Sequence, residues 1–206
     1  MKTTIVSKTD KTAIDLSKFF LLLFIICLPT FLIAQHNWVK IGQKISGESF
    51  GDRSGESVDI SRDGKTIVIG SPRNGVVVCG GAGAPWYAGQ VQIYRLFGTQ
   101  WIQLGNDIEG VVWVSSNNLN CDGTSTGYSV AISGDGNTIV IGEPGYNFYS
   151  GRIRIFNWVG TGAWTGSWVQ VGGNINGAGF EFGWSVDISD DGTKVAIGAP
   201  YSPLPP

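Results

Sequence analysis

The chain has 206 residues, 31 of them glycine, with 12% aromatic and only 15% charged side chains and a formal net charge of −2. Disorder requires low hydrophobicity with high net charge, and a helical bundle would be rich in Ala, Leu, Glu and Lys; neither fits a chain that is 42% hydrophobic and rich in Gly, Val, Ile, Ser and Trp. No basic surplus exists to neutralise phosphates, so nucleic acid is not expected as a partner, and a Gly-rich all-β chain remains.

In chain order, the first element is a leader. Lys2, Lys8, Lys11 and Lys18 precede an apolar run from Phe19 to Ala34, interrupted by Pro29. Its sixteen residues fall short of the about 20 that a membrane helix needs and match the core of a signal peptide. Ala34 before Gln35 places a small residue at the cleavage point, although Leu32 is not small. Residues 1–34 are therefore read as a signal peptide, and export to the medium or the cell surface is expected. The alternative is an uncleaved signal anchor, the one case in which a membrane becomes a partner. Removing the leader leaves ten basic and fourteen acidic side chains. All the glycines then fall in 172 residues, roughly 18% against an ordinary ~7%, as many short strands joined by tight turns require. Cys27 goes with the leader. Cys79 and Cys121 remain, as one disulfide or as two unpaired thiols.

From residue 35 onward the chain is built of repeats, with units near 38–100, 101–167 and 168–206. Trp38-Val-Lys-Ile-Gly42 recurs as Trp101-Ile-Gln-Leu-Gly105 and Trp168-Val-Gln-Val-Gly172, at spacings of 63 and 67 residues. Ser57-Val-Asp-Ile-Ser61 recurs as Ser129–Ser133 and Ser185–Ser189. Thr66-Ile-Val-Ile-Gly70 recurs as Thr138–Gly142 and Lys194–Gly198, each with a proline two residues on (Pro72, Pro144, Pro200). Gly89–Tyr94 recurs as Gly151–Phe156. Alternation in Gln90–Tyr94 and Arg152–Ile155 predicts strands with one apolar face, and the continuous apolar Thr-Ile-Val-Ile runs predict strands covered on both faces. Asp63-Gly64, Asp135-Gly136 and Asp191-Gly192 between β-branched runs predict hairpins. Four strands in each unit of about 60–70 residues is the composition of a propeller blade, and blades must stack to cover both faces.

Phe182-Gly183-Trp-Ser-Val186, Asp191-Gly192 and Ala196-Ile-Gly-Ala-Pro200 resemble the FG-GAP repeat of integrin-α-type β-propellers, and the Trp-Val-Gln-x-Gly strand is similar to the version found in bacterial surface proteins. The "GAP" is altered to Gly70-Ser-Pro72 and Gly142-Glu-Pro144. Phe50-Gly51 stands displaced from Ser57, and the second unit offers only Gly127-Tyr128. The resemblance covers residues 38–201 and implies an all-β fold of propeller-type blades of four antiparallel strands. Strands A to D are expected at 57–61, 66–70, 89–94 and 101–105, then at 129–133, 138–142, 151–156 and 168–172, with A and B alone at 185–189 and 194–198. Trp38–Gly42 is left as a D strand without a blade. About two blades and part of a third cannot close, since propellers have about 4–8 blades. Either the chain is part of a larger surface protein, or copies assemble as a homo-oligomer that completes a ring.

Alternating strand direction puts the B–C and D–A connections on one rim. Cys79 and Cys121 share it, which makes them a disulfide candidate. Trp86, Tyr87, Trp113, Tyr146, Phe148 and Tyr149 share it too. They are the candidate ligand-binding side chains, since exposed aromatics stack on sugars or anchor proteins and loops carry function on rigid scaffolds. Packing between blades is their alternative role. The family's A–B loops bind calcium through several carboxylates, because the ion takes about six to eight oxygens. Here Asp59, Ser61 and Asp63, and Asp187, Ser189 and Asp191, keep three positions, while Ile67, Ile139 and Val195 replace the closing Asp and Ala131 the first ligand. Plain hairpin turns are expected, with 59–63 and 187–191 as the residual calcium sites and no other cofactor. His36, the only histidine, sits beside the cleavage point, so no Ser-His-Asp or Cys-His arrangement is expected. Carboxylates for glycoside hydrolysis are available (Glu48, Asp52, Glu56, Asp107, Glu109, Asp122, Glu143, Glu181), with nothing in the sequence to pair them. The expected function is a non-catalytic, exported binding or adhesion module that contacts extracellular protein or glycan. The alternatives are a fragment of a polysaccharide-acting propeller enzyme and a structural piece of a larger surface protein.

Overall fold

The computed structural model describes residues 38–78, 85–114, 121–162, 164–178 and 180–201. The chain divides into two units, Met1–Lys40 and Ile41–Pro206. Of the first, residues 38–40 are described and carry no regular secondary structure. Every element named below belongs to the second unit.

That unit is all-β, built of small antiparallel sheets. Sheet one takes β1 (Ser57–Ile60) and β2 (Thr66–Ser71). The next two strands, β3 (Val76–Val78) and β4 (Pro85–Tyr87), pair separately as a small hairpin. Then β5 (Gln90–Phe97), β6 (Gln100–Gln103) and β7 (Ile108–Glu109) complete sheet one in the order β1-β2-β5-β6, with β7 on the start of β5. A second small hairpin, β8 (Val112–Val114) with β9 (Cys121–Gly123), leads to sheet two. Its strands β10 (Ser129–Ile132), β11 (Thr138–Glu143), β12 (Arg152–Gly160), β13 (Gly166–Gln170) and β14 (Ile175–Asn176) repeat the pattern, with β14 on β12. Sheet three is β15 (Ser185–Ile188) and β16 (Val195–Gly198). None of these sheets closes on itself.

Register repeats along with sequence: Ser57 lies opposite Gly70, Ser129 opposite Gly142, and Ser185 opposite Gly198. The hairpin turns are made the same way three times. Gly64, Gly136 and Gly192 have φ of 69°, 70° and 68°, the left-handed region that other residues resist. Before each, a serine hydroxyl donates to the turn aspartate (Ser61 to Asp63 2.7 Å, Ser133 to Asp135 2.5 Å, Ser189 to Asp191 2.5 Å). The same hydroxyl accepts the backbone amide of Thr66, Thr138 or Lys194 at 2.9–3.0 Å.

Trp38–Gly42, expected as a strand, is not one. The corresponding segments of sheets one and two pair with β5 and β12, and no such strand lies beside 38–42 among the described residues. Its end keeps a repeat contact nonetheless. The Trp101 indole N–H donates to Ile41 O at 3.2 Å, as Trp168 does to Leu104 O at 2.9 Å.

Packing is face to face. Val68, Val91 and Ile93 of sheet one meet Val130, Ile132, Ile139, Ile141 and Phe156 of sheet two. Ala131, Val140 and Ile153, on the other side of sheet two, meet Ile188 with the partly buried Val186, Val195 and Ile197 of sheet three. Burial of each fully covered Val, Ile or Phe among these contributes about 1.5–3 kcal/mol. Where the sheets approach most closely, glycine is obligatory. A Cβ on Gly70 would lie 2.0 Å from Gly127 O, and one on Gly142 2.1 Å from Gly183 O.

Candidate functional site

The rim connections of sheets one and two form a contiguous surface. Tyr87 O and Ala88 O, at the end of β4, accept the amides of Ser125 and Thr126 at 3.0 and 2.9 Å, and Tyr149 O accepts the Glu181 amide at 2.7 Å. The B–C connection of sheet two is a four-residue turn, Tyr146–Tyr149, in which Asn147, Phe148 and Tyr149 have φ of 50°, 53° and 64°. Left-handed backbone costs an L-residue roughly 1–2 kcal/mol. This turn presents three of the six aromatic candidates.

All six lie on the rim, and they divide between two cavities. Trp86, Tyr87 and Tyr149 line the first, of about 390 Å³, together with Tyr128, Arg53, Glu56 and Arg73. The rings of Trp86 and Tyr149 come within 5.8 Å at 45°, and the Arg73 guanidinium sits 5.2 Å over the Tyr87 ring. Arg53 and Glu56 form an ion pair at 3.0 Å on its edge. Burial raises the Tyr128 hydroxyl above its ordinary pKa, reinforced by the Glu56 and Glu181 charges. Its ring continues outward to Trp184 (4.6 Å) and from there to Tyr201 (6.1 Å).

Trp113, Tyr146 and Phe148 line the second cavity, of about 350 Å³, with Val114, Cys121 and Asp122. The Asp122 carboxyl is raised chiefly by burial, against the amides of Phe148, Asn147 and Gly123, and its Oδ1 has no hydrogen-bond partner among the described residues. Cys121 is disulfide-bonded. Cys79, its expected partner, lies outside the described residues.

The turn residues stand apart from this rim. Asp63 and Asp191 are engaged by their serines as described. Asp59 accepts the amides of Ile60 and, across the sheet junction, Ile132, both at 2.8 Å, and Asp187 accepts that of Ile188 at 2.8 Å. The Ser133–Asp135 turn, which has Ala131 in place of the first carboxylate, has the same hydrogen bonds. The described residues hold no group of three or more His, Cys, Asp or Glu arranged to hold a metal ion.

Two polar clusters went unread in the sequence. Glu143, the residue that alters the second "GAP", is wholly buried. It is ion-paired to Arg152 and Arg154 of the adjacent strand and accepts the Thr126 hydroxyl at 2.7 Å. The Arg152 guanidinium also sits 4.0 Å over Tyr146, which ties this cluster to the rim. The signal was visible: one acid ends an apolar strand, and two arginines alternate in the next. In sheet one the equivalent positions are Ser71, Gln90 and Gln92. There the Gln90 amide faces Asp107 (2.6 Å), Glu109 (3.2 Å) and Glu48 (3.3 Å). Glu109 is raised above the ordinary carboxyl value, first by burial, despite the Gln90 hydrogen bond, and further by Asp107 and Glu48.

No protein-family model matches the chain, and a search of curated proteins finds no similar sequence.

Proposed function

We propose that the chain is an exported, non-catalytic binding module of the FG-GAP, integrin-α-type β-propeller kind, which contacts an extracellular glycan or protein through the aromatic cavity of its rim. The observation that carries this reading is the convergence of Trp86 and Tyr87 from one connection with Tyr149 from another on a single cavity. Its volume suits a small ligand or an anchoring side chain. Flat aromatic walls offer stacking area at low entropic cost, and Arg53, Glu56 and Arg73 add directional hydrogen bonds. The propeller assignment is supported by the repeated A-B-C-D order and the face-to-face packing. The A–B turns are read as plain hairpins that need no ion, and the signal-like leader supports a secreted or surface location.

Binding to an array of extracellular glycans and immobilised matrix proteins tests the reading. Trp86→Ala and Tyr149→Ala should each weaken the captured ligand roughly thirtyfold, the effect of a 2 kcal/mol anchor. Undiminished binding by both variants would overturn it. The three carboxylates around Gln90 favour a second reading, an exported polysaccharide hydrolase, because a carboxyl raised by burial beside other carboxylates suits a general acid. Release of reducing sugar that is lost in Glu109→Gln would favour that alternative.

A further inference from the structure

The joint between consecutive sheets is made twice in this chain from the same parts. From sheet one, the Ser57 hydroxyl donates to Gly127 O at 2.7 Å and the Arg62 amide to Gly134 O at 3.1 Å. From sheet two, the Ser129 hydroxyl donates to Gly183 O at 2.8 Å and the Gly134 amide to Asp190 O at 2.9 Å. Each trailing face offers a serine hydroxyl and a turn amide. Each leading face answers with a glycine carbonyl, a turn carbonyl and the Val and Ile of its first strand.

Among the described residues, both end faces of the series are exposed. Val130 and Ile132 are 8% and 5% exposed in the first joint, whereas Val58 and Ile60, at the same positions of sheet one, are 64% and 53% exposed. At the other end, Val68 and Val140 are fully buried, but Ala196, their counterpart in sheet three, is exposed, as is Ser185. The Asp190 amide, the third of the turn donors, meets no acceptor among the described residues. A Cβ on Gly198 would meet only Ser185, with no carbonyl from a following sheet.

We propose that these two open faces bind each other between copies of the chain, head to tail. Val58 and Ile60 of one copy would cover Ser185, Ala196 and Gly198 of the next. Gly55 O and Arg62 O would take the Ser185 hydroxyl and the Asp190 amide. A second copy is the occupant the geometry favours, because each open face is the counterpart of one already bound within the chain, twice over. The faces differ in character, bulky and apolar at the head, small and polar at the tail, so neither is self-complementary and the contact is heterologous. Sheet three has two strands where its predecessors have four or more, so the joint is narrower than the internal ones and association depends on concentration. The proposal goes beyond the rim reading and does not depend on it.

Sedimentation velocity of the purified chain over a concentration series tests it, with Val58→Glu blocking the head and Ala196→Glu the tail. Both positions are exposed, and circular dichroism and a melting curve check that each variant is folded. The expected result is a wild-type mass that rises above the monomer. Each variant should raise the concentration of half-association by at least about tenfold, and an equimolar mixture of the two should give dimers through the one joint left intact. A wild-type chain that stays monomeric throughout, oligomers indifferent to both substitutions, or variants that fail to complement each other would overturn the proposal, and none of these results bears on ligand capture at the rim.

Discussion

Asp191 shows how much of the turn chemistry rests on one hydroxyl. The Ser189 hydrogen bond, then those from Thr193, hold its pKa down to about 2 although the group is fully solvent-exposed. Asp63 and Asp135 are lowered too, Asp63 chiefly by Ser61, while at Asp135 burial, the largest single effect, raises the carboxyl and is outweighed by the hydrogen bonds of Ser133 and Asn137 together. A carboxyl depressed in the folded state stabilises it above the unfolded pKa of about 4, and that contribution is lost as pH falls through the folded value. Urea denaturation of the parent and of Ser189→Ala should therefore differ most above pH ~4 and narrow as the pH drops through about 2, down to the pH-independent loss of the Lys194 amide bond. A constant difference across that window would assign the effect to packing instead. The Ser-x-Asp-Gly spacing made the turn legible, because hairpin chemistry is local. Glu143 was visible as an acid ending an apolar strand, but its pairing was illegible for the opposite reason. Its partners Arg152 and Arg154 lie nine and eleven residues on, and only the β11–β12 register places all three charges together. Removing one member of such a buried set generally costs far more than the pair contributes.

Connections rather than strands distinguish the units at the scale of elements. Strands A to D of sheets one and two lie close to the positions their alternation predicts. The hairpins β3–β4 and β8–β9 and the left-handed turn 146–149 carry no periodic pattern, and no pattern marked them. Their shape comes from contacts with each other, as when Tyr87 O and Ala88 O fix the segment after β9. That the six rim aromatics share one rim followed from strand direction alone; that they split three and three between two cavities did not. The Cys121 disulfide lies beside the second cavity. Cys79 is the proposed partner, because the B–C and D–A connections adjoin. Non-reducing peptide mapping should recover Cys79 joined to Cys121, and reduction should lower unfolding stability by about 2–4 kcal/mol. Recovery of Cys79 as a free thiol would refute the pairing.

Across the whole molecule, equivalent positions have unequal surroundings, and a pair of substitutions exposes this. Gly142 and Gly198 occupy the same place in their hairpins. A Cβ on Gly142 would meet the backbone carbonyl of Gly183 at 2.1 Å, whereas the one clash at Gly198 would be with the Ser185 hydroxyl at 2.3 Å, a side chain that can rotate away. Gly142→Ala should cost about 1–3 kcal/mol by overpacking, and Gly198→Ala much less at concentrations where the chain is monomeric, as read by the two urea midpoints. Equal costs would mean that the β15–β16 hairpin is covered in solution, which the oligomeric state would then have to explain.

What the sequence by itself determined is whatever depends on nearest neighbours: the all-β class, the order of strands in each unit, the three hairpin turns and the repeat that relates them. These follow from period-two alternation and from glycine at turns, which act within a few residues. Tertiary structure decided why Ser57 and Gly70 recur, since the hydroxyl and the missing side chain matter only where the next sheet's carbonyl arrives. It also decided which aromatics meet, where the buried charges pair, and which two faces are left open. The serine contacts depend on the approach of segments 50 or more residues apart and the buried charges on a strand register nine and eleven residues apart, and no local pattern encodes either.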